Sequence, residues 1–107
     1  MQRLAGRARR FDLHLSLLYR PLGSQAWQEG RIENISSSGV LFWTGKPMDV
    51  DTALEMRFVL PLTKSPPGVV CHGRVVRKVE PRDPDAGAGL AATISAYRFV
   101  RGRSAGA

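Results

Sequence analysis

Four arginines, Arg3, Arg7, Arg9 and Arg10, fall within the first ten residues, and no acidic residue precedes Asp12. Guanidinium groups form charge-assisted hydrogen bonds to phosphate oxygens, and their planar forks bind in pairs. A second cluster, NISSSG, sets Asn34, Ser36 and Gly39 on a short polar stretch. The amide and hydroxyl can bond the local backbone or the edge of a ligand. Gly39 is expected to supply a positive φ to a turn. Taken alone, NISSSG reads as that turn. The arginines are open to four readings: a leader, a solvated tail, a nucleic-acid arm, or half of a ligand clamp.

The remaining inventory gives little support to catalysis. His14 and His72 are the only histidines, and neither has a carboxylate or cysteine at ligand spacing. Asp49 and Asp51 read as turn residues, as do Asp83 and Asp85 in a proline-rich stretch. Cys71 lies in an apolar run and reads as a buried, inert thiol. No phosphate-binding glycine loop and no nucleophile elbow is present. A protein that is not an enzyme, with no catalytic residue, metal or cofactor, is the expectation.

The elements that must position the two clusters follow from the pattern. Phe11, Leu13, Leu15, Leu17 and Tyr19 share one parity, against Asp12, His14, Ser16 and Arg20, which is the period of a half-buried strand. Further strands are expected at residues 27–35, with weak alternation, and at 40–43, 54–61, 69–80 and 88–94. The fifth breaks parity near Gly73, as a bulge would require. Residues 95–102, SAYRFVRG, could form a short helix capped by Ser95. Trp43 continues a core-like run and reads as structural.

A chain of 107 residues is one domain and can bury a core without a disulfide, which its single cysteine excludes. Six short strands without a crossover helix predict an all-β fold, most economically a small closed antiparallel barrel. Sixteen basic residues against nine acidic ones give +7, concentrated toward the ends. Such a field attracts phosphates. The basic start loosely resembles a leader, but His14 and Ser16 interrupt the apolar segment, so no leader is expected. No run approaches the ~18 apolar residues of a membrane span, so no membrane insertion is expected either.

The order of these features resembles the PilZ domain, the cyclic di-GMP receptor module of bacteria, from about Arg3 to about Phe99. The family's Asp/Asn-x-Ser-x-x-Gly motif is complete as Asn34, Ser36 and Gly39, while GRVVR (73–77) and GAGLAATI (87–94) resemble its later strands. Its Arg-x-x-x-Arg motif is met literally by Arg3 and Arg7. The family usually places the second arginine directly before the first strand, which here is Arg10, and four residues back stands Gly6. Either Arg3 and Arg7 act with a longer lead-in, or Arg7 and Arg10 act across a shortened spacer, with Arg9 able to substitute.

The resemblance implies a six-stranded PilZ-type barrel with a short C-terminal helix. It divides the chain into an arginine-rich arm (1–10), the barrel (11–102) and a frayed end (103–107). It also implies a cytoplasmic sensor or adaptor whose ligand, cyclic di-GMP, is held by Arg3, Arg7, Arg9, Arg10, Asn34, Ser36 and Gly39. Binding would change the surface shown to an effector protein. Arginine suits this ligand because it pairs with guanine O6 and N7, stacks on the base and binds phosphate. Two other readings stay open: a PilZ domain that binds proteins but no nucleotide, and a basic barrel for single-stranded nucleic acid. The last usually shows exposed aromatics among basic residues, whereas here most aromatics are expected at core parity.

Overall fold

The computed structural model describes residues 14–61, 64, 66–81, 83, 85 and 87–100. Seven strands form: β1 (Ser16–Pro21), β2 (Gln28–Ile35), β3 (Gly39–Thr44), β4 (Ala53–Val59), β5 (Gly68–Val79), β6 (Ala88–Thr93) and β7 (Ala96–Val100). β1 pairs with β2, β2 with β3, β3 with β6, β6 with β5, β5 with β4, and β4 back with β1, all antiparallel. The result is the expected closed six-stranded barrel, which leaves no free edge within the ring.

Alternation decides which side chains fill it. Leu17 and Tyr19 of β1, Val40 and Phe42 of β3, Leu54, Met56 and Phe58 of β4, and Leu90 of β6 all point inward and are buried. Removing each large apolar side chain from water contributes about 1.5–3 kcal/mol. The two hydroxyls buried in this interior among the described residues, those of Tyr19 and Thr44, are satisfied locally. The Tyr19 phenol donates to the Lys46 carbonyl at 2.7 Å and shares a hydrogen bond with the buried Thr44 hydroxyl. Burial pushes the phenol's pKa up, and the Thr44 hydrogen bond partly offsets the rise.

β5 is the strand on which closure turns. Its first half pairs with β4 on one side and β7 on the other, while its second half pairs with β6. The handover occurs at Gly73, where a Cβ would lie 1.7 Å from the Thr93 carbonyl oxygen. Only glycine admits the crossing chain so closely. The Thr93 hydroxyl then stands in for ladder bonds, accepting from the Arg74 N–H at 3.2 Å and approaching the Arg74 carbonyl at 3.4 Å. The register shift lies between Val75 and Arg77, just beyond Gly73, and there Val76 is turned out to solvent.

The expected C-terminal helix is corrected: Ala96–Val100 is a strand. Residues 95–100 continue alongside β5 after a kink, with His72 opposite Ala96 and Gly68 opposite Val100. Ser95 does not cap a helix; its N–H donates to the His72 carbonyl at 2.9 Å and its hydroxyl to the same oxygen at 3.3 Å. An open edge on β5 gave the backbone more partners than one isolated helical turn could. No helix of the described residues is long and apolar enough to cross a membrane.

Gly73→Ala should lower stability by several kcal/mol, because backbone must move. Gly45→Ala, with nothing within 4 Å of its added Cβ, should stay within about 0.5 kcal/mol in the same urea titration. Cys71 is buried, and its thiol is pushed from 9.0 up to about 11, first by burial and then by the Glu55 charge. The folded state therefore favours the neutral thiol. Stability should be intact below the unfolded value near 9.0 and fall between there and about 11. Cys71→Ala should flatten that decline, and alkylation of the wild type at neutral pH should track unfolding.

Candidate functional site

The Asn34–Gly39 stretch makes the β2–β3 turn, and its geometry begins with a bulge. Ile32 pairs with Phe42 and Asn34 with Leu41, so Glu33 is an extra residue in β2. Ile32 and Ile35 are both buried although three positions apart. The bulge turns Glu33 and Asn34 toward the same outer surface, which regular pleating forbids. This explains the weak alternation of residues 27–35. The Glu33 carboxylate accepts the Trp43 indole N–H at 2.9 Å. The Asn34 amide, half-buried, has no side-chain hydrogen bond among the described residues.

Ser36 and Gly39 have a different task from Asn34. The Ser36 N–H donates to the Gly39 carbonyl at 2.8 Å, and the Ser36 hydroxyl accepts the N–H groups of Ser38 and Gly39, each at 3.2 Å. Gly39 is not in the left-handed region, contrary to expectation; Gly23 and Gly87 are the described glycines found there. What Gly39 needs is room, since a Cβ would lie 3.2 Å from the Ala92 carbonyl. The Ser38 carbonyl accepts the Ile94 N–H at 2.9 Å, which ties the turn to the kink before β7.

Beside Asn34 the outer face of the barrel forms a low platform. Leu41 stands opposite Ala91 and Trp43 opposite Gly89. The indole lies on Gly89, where a Cβ would approach its ring to 2.6 Å. Arg31, opposite Trp43, and Arg77, opposite Ala91, bracket the patch. Trp43 therefore faces outward, where its position after Phe42 had suggested core. Alternation within VLFW carried that signal: Phe42 is fully buried, so its neighbours Leu41 and Trp43 must face out. The Asn34 amide, a flat apolar surface and two guanidiniums can together hold a heteroaromatic ring and an attached anion.

Arg3, Arg7, Arg9 and Arg10 lie outside the described residues. The chain joins β1 at the end of the barrel that carries the turn. The Ile32 N–H donates to the Leu15 carbonyl at 2.7 Å, only two residues before Asn34. Of the other chemistry-bearing groups, Cys71 is buried. Asp49 holds the Thr52 N–H through its carbonyl, Asp51 adopts φ 77°, and Asp83 accepts the Asp85 N–H at 3.0 Å, all turn roles. No metal-binding cluster of His, Cys, Asp or Glu occurs among the described residues. The aromatics divide differently from expectation. Tyr19, Phe42 and Phe58 are core, whereas Trp27, Trp43, Tyr97 and Phe99 lie outside it. Trp27 is covered by Arg20 at 4.2 Å and Arg57 at 4.9 Å.

The sequence model of the PilZ domain family matches residues 2–97. Among solved structures, the inhibitor of motility MotI/DgrA of Bacillus subtilis shares the fold, with a TM-score of 0.72 and 17% sequence identity. The match covers 95% of this chain and 47% of that one, so the chain spans about half the length of that protein. No curated protein matches the chain.

The two halves of the turn motif should separate on mutation. Ser36→Ala, which strips the acceptor from two backbone donors, should cost about 1 kcal/mol and speed exchange of the Gly39 amide. Asn34→Ala should change stability by less than about 0.5 kcal/mol. Urea titration and amide hydrogen exchange check both.

Proposed function

Because this chain belongs to the PilZ domain family, we propose that it is a cyclic di-GMP receptor that performs no reaction of its own and signals by changing the surface it offers to an effector protein. The observation that supports this most directly is a shared location. Asn34 is presented on the outer face without a side-chain partner among the described residues, at the same end of the barrel where the chain enters β1. Arg10 precedes His14 by four residues, a reach of at most about 14 Å. An arginine arm so tethered can close on the turn from outside.

In this reading the labour divides by residue type. The Asn34 amide bonds a guanine edge, while Leu41 and Trp43 offer the apolar wall beside it. Ser36 holds the turn in shape, and Gly39 lets the backbone approach. Arginines from Arg3, Arg7, Arg9 and Arg10 stack on guanine, read O6 and N7, and neutralise phosphate. Ordering the arm costs entropy and lowers net affinity, but it also remakes the surface, which is the signal.

Calorimetric titration with cyclic di-GMP tests this. Saturable binding is expected, weakened at least about ten-fold by Asn34→Ala, which leaves stability unchanged, and by Arg10→Ala. Comparing Arg3→Ala with Arg7→Ala identifies the arginine register. Absence of binding at millimolar ligand by a folded protein overturns the reading in favour of a protein-interaction module. Binding of an oligonucleotide with a steep salt dependence overturns it in favour of a nucleic-acid barrel.

A further inference from the structure

β7 departs from the rule that the rest of the barrel obeys. It pairs with β5 along one edge, and among the described residues nothing pairs with the other. Both of its faces are open as well. Tyr97 and Phe99 are 56% and 60% exposed, with ring centroids 5.9 Å apart in an edge-on contact. They form one wall of an apolar groove of about 380 Å³, whose other side includes Ile35, Phe58, Leu60 and Ile94. A strand with a bare edge and exposed aromatics is a pairing surface unless something covers it.

The opposite face of β7 adds a charge requirement. Arg98 and Arg57 flank Val70, being its neighbours on β7 and β4. Neither arginine has a carboxylate within ion-pair distance among the described residues. Both line a hollow whose floor includes Leu18, Val59 and Val100. Its acidic group, Glu29, stands on β2, beyond Leu18 and two strands from Arg57. One strand thus presents an apolar face, an opposite face carrying Arg98, and a backbone edge unpaired among the described residues.

We infer that β7 is the docking edge for an extended segment of a partner protein whose residues alternate between apolar and acidic. Main-chain pairing with β7 supplies the affinity common to strand addition, and alternate side chains supply the selectivity. The apolar positions enter the groove beside Tyr97 and Phe99; the acidic positions meet Arg98, and Arg57, farther off across β7 and β5, adds to the positive field of that face. A second copy of this chain fits worse. Antiparallel pairing of two β7 strands about their centre sets two Arg98 side chains against each other, and each chain carries +7. The variants that test this leave Asn34 and the arginine arm untouched, so nucleotide binding and docking can fail independently.

The test is fluorescence anisotropy of the full chain with labelled synthetic peptides. A peptide alternating isoleucine and glutamate should bind saturably. Its isoleucine–lysine counterpart should bind at least about ten-fold more weakly, and Arg98→Glu should reverse that preference. Methylating alternate backbone nitrogens of the acidic peptide, and separately Phe99→Ser in the protein, should each cost about ten-fold or more. Both substituted residues are exposed, and circular dichroism with a urea midpoint confirms that the barrel is kept. The inference is overturned by equal binding of the two peptides, by indifference to N-methylation or to Phe99→Ser, or by no binding at millimolar peptide. It is equally overturned if sedimentation shows a dimer that Phe99→Ser dissociates, because the edge then belongs to a second copy.

Discussion

The close contact between Gly73 and the Thr93 carbonyl governs the rest of the molecule. A ring of six strands closes only if one strand passes its pairing from one neighbour to another without breaking its ladder elsewhere. β5 does this where the end of β6 crosses it at Thr93, at a distance that no side chain tolerates. Thr93 and Ser95 supply side-chain partners for the backbone groups that the crossing leaves without ladder bonds. With closure secured there, the other strands bury one face each and need no helix to cover them.

Closure also decides what is left over. β6 ends against β3 at Gly39, and the chain beyond the kink has β5 alone as a neighbour. β7 therefore leaves the ring with its far edge unpaired among the described residues. The same kink is joined to the β2–β3 turn through the Ser38 carbonyl and the Ile94 N–H. The motif turn, the start of β1 and the open strand consequently share one end of the barrel. Tyr19, Thr44 and the Lys46 carbonyl lock the opposite end, where the chain passes from β3 toward β4.

The turn motif divides its work between structure and recognition. Ser36 spends its hydroxyl on two backbone donors, so it preserves a shape. Asn34 is released from the strand's own pattern by the Glu33 bulge and faces outward with its amide uncommitted among the described residues. A bulge costs a ladder bond and gains a redirected side chain, a trade found beside binding sites. The sequence motif names both residues alike; their hydrogen bonds tell them apart.

Much of this was readable in advance, because burial by alternation is a local rule. The strands expected from Val40, Leu54, Val69 and Ala88 follow from parity and turn residues alone, as does a closed barrel from six strands in so short a chain. The first, expected from Phe11, is a strand from Ser16, with His14 and Leu15 outside it and residues 11–13 outside the described residues. The turn at Asn34–Gly39 and the buried, inert Cys71 followed equally from residue type. What escaped depends on partners distant in sequence. SAYRFV can coil or extend, and the free flank of β5 decided for a strand. Trp43 follows a core residue, yet its place over Gly89 of β6 makes it an outer-face platform. Gly39 looked like a turn glycine needing a positive φ and proved to be one needing space beside Ala92. Sequence by itself determined which residues wish to be buried and where the chain must turn. Only the tertiary structure decided which strand meets which, because hydrogen-bonding partners are chosen by closure of the sheet and not by near neighbours.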